Sequence, residues 1–376
     1  MAARELSIGI ILNFSKNWFG GVNYIINIIN LLNTLPSNEK PNLIVFYNKQ
    51  LSSELVKIKR LNYENIKFKE LYYYLPRILN YFFSILFKKN FFLKKEFKNL
   101  DSIYPFNDLP VYQKTNVKLI SWIPDFQHKF YPNYFNKVHL ILREFKFKKI
   151  FKNSHITVLS SKDSQDKMLN FYESNRSVVI PFISFVESKD SVDFEFIKNK
   201  FKLHSVYFLI PNQFYEHKNH IITVKALKIL VDKYPDIQFI FTGKKESTNK
   251  KYIRAFNDFI KKNDLENNIL FTGFIRREEQ IALMLNSKAV IQPSLFEGWN
   301  TSIEDCKSLG IDVIASDIKV HREQLGKASL LFKKNSEEDL VNLLILKMEN
   351  KKISDFDFSL KKESKVVVKK LVNIFK

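Results

Sequence analysis

Short apolar runs alternate along this chain with longer segments in which apolar residues recur every three or four positions. The short runs end at Pro, Gly, Asn or Asp, as buried strands do, and the longer segments have the spacing of one helix face. Strands that alternate with helices predict parallel sheets with helical crossovers. The predicted strands are residues 6–12, 43–47, 101–104, 117–122, 155–159 and 178–180 of a first sheet, and 207–210, 237–241, 269–271, 289–291, 313–315 and 328–332 of a second.

A polar, charged segment at residues 184–199 separates the two sets of strands and is predicted to be a linker. The pattern therefore predicts an α/β fold with a Rossmann-like domain at 1–184, a linker at 185–200 and a second Rossmann-like domain at 201–355. Residues with ligand-binding chemistry follow the strand ends, which is the edge where open α/β sheets bind ligands. We therefore expect the two domains to face each other across a cleft.

The segment between the strands at 289–291 and 313–315 is the richest in candidate chemistry. Glu297 follows the first of these strands, and the backbone N–H groups of Asn300, Thr301 and Ser302 open a helix whose positive end suits a phosphate. Thr301 and Glu304 have the spacing of a capping box, which leaves Asp305 as the acid for a ligand. A plain surface helix cap would explain Thr301 and Glu304, but it would leave Glu297 and the following Gly-Trp unexplained.

Three other loops carry polar residues after a predicted strand. Lys218 precedes a helix start, where it could neutralise a diphosphate, and its neighbours His217 and His220 argue against a merely exposed lysine. Gly21 belongs to a diglycine between the first strand and the first helix, where either a ligand or a plain tight turn could require it. Asp125 follows the strand at 117–122.

Composition narrows the classes of protein. A single cysteine excludes an intrachain disulfide, and no Cys/His spacing is typical of a metal site. The N-terminus lacks the pattern of a signal peptide, and no apolar run reaches the roughly 18 residues of a membrane span, so we expect a cytoplasmic or peripheral membrane protein. The net charge of +21 favours an anionic partner: nucleic acid, acidic lipid or a phosphate-bearing substrate.

Two segments combine aromatic or apolar residues with lysines. Residues 71–98 suit an interfacial helix on an anionic bilayer, and a buried helix with a solvated basic face is an equal alternative. The same interleaving could suit nucleic acid, but no recognisable nucleic-acid motif accompanies it, so nucleic acid is not an expected partner. Residues 138–152 form a predicted helix with five basic residues, which is either a solvated face or a second membrane-facing patch.

The segment from 292 to 324 resembles the signature of family 4 glycosyltransferases, which have the GT-B fold and retain the anomeric configuration. In that family two acids stand eight positions apart around a Gly-aromatic turn, here Glu297 and Asp305. The resemblance implies that the first contacts the donor sugar hydroxyls and the second the nucleotide ribose. The second acid is Asp instead of the usual Glu, which leaves Glu304 as a substitute.

The resemblance covers nearly the whole chain and is strongest for residues 207–324. Where the family has an Arg and, five residues later, a Lys on the donor diphosphate, this chain has Gln213 and Lys218. Asp125 matches a family Asp, but Pro124 occupies the usual His position, so His128 is the candidate substitute that contacts the donor sugar or nearby backbone. A lone loop histidine without a ligand is the alternative. The family also implies ligand contacts for other loops: Gly21 beside the donor phosphate and acceptor, and Gly243, Phe274 and Ile275 around the base. Residues 356–376 are then a helix that crosses back to the first domain.

Together these residues imply a retaining hexosyltransferase that moves a sugar from a nucleoside-diphosphate sugar to a glycan acceptor. A lipid-linked acceptor at the inner face of a bacterial membrane, as in lipopolysaccharide and other surface-polysaccharide biosynthesis, is the expected setting. No metal and no cofactor besides the donor are expected. The alternatives are a sugar-nucleotide epimerase of the same fold, and a non-catalytic basic protein that binds membrane or nucleic acid and makes no use of Glu297 and Lys218.

Overall fold

The structure is a computed structural model that describes residues 5–15, 18–71, 86, 97–107, 116–174, 176–245, 249–326, 330–349 and 360–376. Residues up to Ile183 together with the C-terminal helix form one compact unit, and the residues from Ser184 up to that helix form another. Most of the aromatic and lysine-rich segment at 71–98 lies outside the described residues. Among the described residues, no helix combines the length and apolarity needed to cross a bilayer.

The first unit contains a seven-stranded parallel sheet in the order β3-β2-β1-β4-β5-β6-β7. Its strands are β1 (Ser7–Leu12), β2 (Asn42–Tyr47), β3 (Ile66–Glu70), β4 (Ser102–Tyr104), β5 (Lys118–Ile123), β6 (Ile156–Leu159) and β7 (Ser177–Val179). Its helices are α1 (Phe19–Asn33), α2 (Leu55–Lys59), α3 (Gln127–Phe130), α4 (Lys137–Asn153), α5 (Lys162–Tyr172) and the C-terminal helix, α13 (Leu360–Phe375). The inner strands are continuous apolar runs because helices cover both faces of such a sheet.

The second unit contains a six-stranded parallel sheet in the order β10-β9-β8-β11-β12-β13. Its strands are β8 (Tyr207–Pro211), β9 (Gln238–Thr242), β10 (Ile269–Gly273), β11 (Val290–Gln292), β12 (Val313–Ser316) and β13 (Leu330–Phe332). Its helices are α6 (Phe194–Phe201), α7 (His220–Val231), α8 (Lys250–Lys262), α9 (Arg277–Leu285), α10 (Thr301–Leu309), α11 (Lys319–Leu325) and α12 (Glu337–Met348). Two apolar clusters pack on the two faces of this sheet.

Two segments differ from their sequence-based interpretation. Residues 66–70, which carry no strand prediction, form the edge strand β3, where Lys67 and Lys69 alternate with apolar residues. Such alternation is typical of an edge strand with one solvated face. Residues 185–200, for which a linker is predicted, include most of α6, whose Ile197 is fully buried in the core of the second unit.

Helix α13 packs within the first unit. The Phe375 ring lies 5.7 Å from the Tyr104 ring, and Leu371 is also buried. Helix α13 therefore contributes apolar side chains to the core of the first unit.

Candidate active site

A buried carboxylate lies beyond the carboxyl end of β11. Glu297 accepts hydrogen bonds from Lys218 Nζ at 2.6 Å, Ser294 Oγ at 2.7 Å and Asn300 Nδ2 at 3.1 Å. Burial by itself would raise the pKa of Glu297, but the Lys218 charge and the hydrogen bonds from Lys218 and Ser294 hold that pKa below its ordinary value of 4.5. The carboxylate is therefore charged at neutral pH and held in one orientation.

Lys218 reaches this carboxylate from the loop after β8. A single 3₁₀ turn, Glu216–Lys218, ends at Asn219, whose φ of 53° is the left-handed conformation that asparagine tolerates better than most residues. Helix α7 begins at the next residue. This reversal places the Lys218 ammonium between two strand ends, beside the carboxylate of Glu297.

The helix start predicted to bind phosphate is α10, and its cap differs from the prediction. Asn300 is the N-cap residue: its Oδ1 accepts the Ile303 N–H at 3.1 Å, so the predicted capping box of Thr301 and Glu304 is wrong. Asn300 has the extended backbone of a cap, whereas Thr301 is already helical. The Asn300 N–H donates to Gln324 Oε1 at 3.0 Å. The N–H groups of Thr301 and Ser302 in the first turn have no intrahelical acceptor and remain the candidates for an anion.

The two acids on α10 lie in different environments. Glu304 is almost fully buried and accepts from Gln324 Nε2 at 3.0 Å and from Lys307 Nζ at 3.3 Å. It therefore ties α10 to α11. Asp305 accepts Ser184 Oγ at 2.6 Å and two nitrogens of Arg277, Nη1 at 2.7 Å and Nη2 at 2.5 Å.

The arginine partner of Asp305 is partly open to solvent. The Arg277 side chain is 38% exposed, whereas the Lys307 side chain that pairs with Glu304 is 7% exposed. Both acids are buried, but of the two proposed for the ribose, Asp305 is the one whose cationic partner is partly exposed. Arg277 and Ser184 were not among the predicted site residues. One feature of the sequence points to Arg277: it follows closely after Phe274 and Ile275, the loop predicted to border the base, and it begins the next helix.

The loops predicted to surround the base lie side by side, because β8, β9 and β10 are neighbours in the sheet. Gln213, which occupies the position of the family arginine, accepts the Lys244 N–H through Oε1 at 3.1 Å. Gly243 has a φ of 99°, and a Cβ there would lie 2.7 Å from the Asn212 carbonyl oxygen, so only glycine fits. Phe274 is exposed at the end of β10, and Ile275 packs against the core.

Three buried histidines surround the Lys218–Glu297 pair. Burial, together with the charge of Lys218, lowers the pKa of His217 to about 3 and that of His220 to about 3. Burial also lowers the pKa of His321, whose Nδ1 lies 2.9 Å from the Ser316 carbonyl oxygen. These rings are neutral at pH 7, so the positive charge next to Glu297 is that of Lys218.

The candidate residues of the first unit have other surroundings. Asp125 Oδ1 accepts the Gln127 N–H at 2.9 Å and so shapes the turn before α3. His128 is 4% exposed, with its ring against Phe147 and its Nε2 3.2 Å from the Tyr172 hydroxyl. Burial lowers the pKa of His128 to about 4. The His128 ring therefore packs in the interior beneath α4. Its contact with the donor stays a prediction.

Gly21 lies in the first turn of α1, under a tryptophan ring. A Cβ on Gly21 would lie 2.7 Å from Trp18 Cε3. The Trp18 ring stacks on Trp122 at 5.8 Å, and Trp122 stacks on Tyr24 at 3.7 Å. A close ring contact thus accounts for this glycine without a ligand.

The site of the second unit brings together the Lys218 ammonium, the oriented Glu297 carboxylate and the start of α10. Such a set can bind a diphosphate and a polyhydroxylated group next to it. Among the described residues, no group of three or more His, Cys, Asp or Glu is arranged to hold a metal ion.

Residues 191–363 match the family model for Glycosyl transferases group 1. An uncharacterized glycosyltransferase of Methanocaldococcus jannaschii is 23% identical over 209 residues, which are 54% of this chain and 49% of that protein. Protein CapJ of Staphylococcus aureus is 27% identical over 217 residues, which are 57% of this chain and 52% of that protein. The chain thus matches about half the length of these curated relatives.

The crystal structure of Anabaena HepE in complex with UDP and glucose superimposes with a TM-score of 0.69. It is 15% identical and covers 98% of this chain and 100% of its own. This likeness confirms the predicted GT-B fold class of two α/β units with parallel sheets.

Proposed function

We propose that the protein is a retaining glycosyltransferase that moves a hexosyl group from a nucleoside-diphosphate sugar to a glycan acceptor. The observation that carries the proposal is the Lys218–Glu297 pair, held at the carboxyl edge of the sheet beside the start of α10. The match of residues 191–363 to a glycosyltransferase family supports it.

The reaction requires the bond between the sugar and the diphosphate to loosen while negative charge builds on the leaving group. Lys218 and the first N–H groups of α10 would stabilise that charge. Donors of this kind contribute about 10²- to 10³-fold each in comparable oxyanion sites. Glu297 would accept hydrogen bonds from the sugar hydroxyls and fix the ring for attack.

Retention requires that the acceptor attack from the side on which the leaving group departs. The diphosphate itself would then take the acceptor proton. Gln213 stands where the resembled family has a second cation, so more of the stabilisation would rest on Lys218 and the helix start. No metal and no further cofactor takes part in this scheme.

For the nucleotide, we propose that Asp305 contacts the ribose and that the loops at Gly243 and Phe274 border the base. HepE was solved with UDP and glucose, so UDP-sugars are the first donors to test. For the acceptor, we propose a lipid-linked glycan of bacterial surface-polysaccharide assembly, including lipopolysaccharide. The enzyme would then work at the inner face of the cytoplasmic membrane.

The test incubates the full chain with radiolabelled nucleotide sugars and a bacterial membrane extract. Label that moves into the lipid fraction supports transfer. NMR of the product then shows whether the anomeric configuration of the donor is retained. Label that remains in an altered nucleotide sugar supports the epimerase. Glu297→Gln should abolish the transfer, whereas Glu195→Gln, at an exposed position of the same unit, should leave it unchanged. Absence of both products from all donors would contradict the enzymatic function.

A further inference from the structure

Helix α4 carries apolar residues on two opposite faces. Its inner face, Phe147, Ile150 and Phe151, is buried in the core of the first unit. A second set at i, i+3, i+4 and i+7 points to solvent. These residues are called the outer face of α4, and they are Val138, Ile141, Leu142 and Phe145.

The two faces lie roughly 170° apart around the helix axis at 3.6 residues per turn. Val138, Ile141 and Leu142 are 65%, 68% and 55% exposed, so they lie outside the buried core. Isolated exposed apolar residues are ordinary, but four that form one stripe on a helix are typical of an interaction surface.

The charges around the outer face have one sign. Helix α4 contains six basic residues and one acidic residue. The acidic residue, Glu144, is turned inward, where it accepts a hydrogen bond from Tyr172 and pairs with Lys129. Lys137, Lys148 and Lys152 are exposed and border the outer face. An apolar stripe bordered by cations complements a surface with an anionic layer above an apolar one, which is the organisation of an anionic bilayer.

We propose that the outer face of α4 docks the protein on an anionic lipid bilayer. Val138, Ile141, Leu142 and Phe145 would enter the boundary between headgroups and acyl chains, and the bordering lysines would contact lipid phosphates. The inference rests on the proposed function, which places the enzyme at a membrane, and it names the surface of the protein that contacts that membrane. It involves no residue of the candidate active site.

The single native cysteine makes a direct test practical. Cys306 is fully buried, so a cysteine introduced at an exposed position can be labelled selectively with an environment-sensitive dye. Ile141→Cys is labelled as the probe, and Ile229→Cys, an exposed isoleucine on α7, is labelled as the control. Vesicles of about one-third phosphatidylglycerol in phosphatidylcholine should shift the emission of the dye at 141 to the blue and leave the dye at 229 unchanged.

Binding is measured by sedimentation of the full chain with the same vesicles and with pure phosphatidylcholine. Ile141→Ser/Leu142→Ser should weaken binding to the anionic vesicles at least tenfold, and Lys148→Glu/Lys152→Glu should do so in low salt. The matched controls are Val56→Ser/Ile229→Ser and Lys228→Glu/Lys251→Glu, all at exposed positions away from α4. These controls should bind like the wild type.

Three results would overturn the inference. The first is that the wild type fails to bind the anionic vesicles, and the second is that the α4 variants bind them as well as the wild type. The third is that light scattering shows a concentration-dependent dimer that Ile141→Ser/Leu142→Ser abolishes. This third result would assign the outer face of α4 to contact with a second copy of the chain. UDP binding by calorimetry, measured on the same samples, separates this inference from the proposed reaction. A protein that binds UDP but no vesicles contradicts the docking, and one that binds vesicles but no nucleotide contradicts the reaction.

Discussion

The ammonium of Lys218 lies 2.6 Å from Oε1 of Glu297, and the two side chains are 17% and 9% exposed. The pair joins the loop after β8 to the loop after β11, which are adjacent strands of one sheet. A pair so enclosed is difficult to break, because the remaining charge would lack both water and partner. The same enclosure keeps both groups charged and oriented for a ligand that is itself anionic and rich in hydroxyls.

Removal of one partner should therefore destabilise the fold more than removal of both. We expect Glu297→Gln to lower the free energy of unfolding by roughly 3 kcal/mol, because it leaves the Lys218 charge uncompensated. Lys218→Met/Glu297→Gln should recover part of that loss in urea denaturation, yet both variants should lack transfer activity. The control is Lys198→Met/Glu195→Gln, an exposed pair 3.8 Å apart, with an expected coupling below about 0.5 kcal/mol. A loss in Lys218→Met/Glu297→Gln as large as that in Glu297→Gln, or larger, would contradict the coupling.

The buried histidines predict a loss of stability in mild acid. Burial lowers the pKa of His220 to about 3, while an unfolded histidine titrates near 6.5. Protons therefore bind the unfolded chain preferentially below pH 6.5, and the stabilisation present above that pH declines as the pH falls towards 3. Between pH 7 and 5 each such ring should account for a loss on the order of 1–2 kcal/mol.

The measurement is the free energy of unfolding of the wild type and of His220→Gln at pH 7, 6 and 5. Although His220→Gln loses the stacking on Phe214, its stability should decline less steeply with pH than that of the wild type. His139→Gln, at an exposed position, serves as the control and should follow the wild type. A pH above 5 also keeps Glu297 ionised, since its pKa is held below 4.5 and its own contribution is lost only at lower pH. Equal slopes for all three proteins would contradict the assignment.

Gly21 should tolerate a side chain only when Trp18 is removed. The Cβ of Gly21→Ala would lie 2.7 Å from the Trp18 ring and 3.1 Å from Phe14, so the ring must move off Trp122. We expect a loss of about 1–3 kcal/mol, as for other overpacked sites, together with a change in near-ultraviolet circular dichroism. In a Trp18→Ala background the same substitution should be close to neutral. A loss of equal size in both backgrounds would exclude the ring contact as the reason for the glycine.

The strand and helix pattern predicts six of the seven strands of the first sheet and all six of the second, because buried parallel strands are short apolar runs with clear ends. The edge strand β3 escaped prediction, since its alternating lysines resemble a polar segment. The helix cap was misplaced by one residue. Asn300 and Thr301 are both good caps, and the backbone angles that decide between them depend on the bond from Asn300 to Gln324.

The partners of site residues were harder to predict than the residues themselves. Glu297 and Lys218 are singled out because each follows a strand, and Asp305 because it stands eight positions after Glu297, as in the resembled motif. Ser184 lies 121 positions from Asp305 in sequence, and only the packing of the second unit brings them together. The sequence likewise gives no sign that the His128 ring packs against Phe147, and its contact with the donor stays a prediction.

Arg277 should control how well the nucleotide ribose is recognised. Its two terminal nitrogens hold the Asp305 carboxylate, so loss of the guanidinium should remove two of the hydrogen bonds that orient this carboxylate and retain the one from Ser184. If Asp305 binds the ribose hydroxyls, Arg277→Ala should weaken UDP binding about tenfold, equivalent to the loss of roughly 1.4 kcal/mol.

The readout that separates positioning from general destabilisation is the preference for UDP over 2′-deoxy-UDP, measured by calorimetry. The wild type should prefer UDP, and both Arg277→Ala and Asp305→Asn should lose most of that preference while their thermal unfolding remains cooperative. Arg276→Ala is the matched control, because Arg276 is the neighbouring arginine, is 65% exposed and pairs with Glu279 instead. If Arg277→Ala keeps the preference for UDP over 2′-deoxy-UDP, or if Arg276→Ala loses it equally, the ribose is not recognised through the Asp305–Arg277 pair. Either result would leave this pair as a contact that only joins α9 to α10.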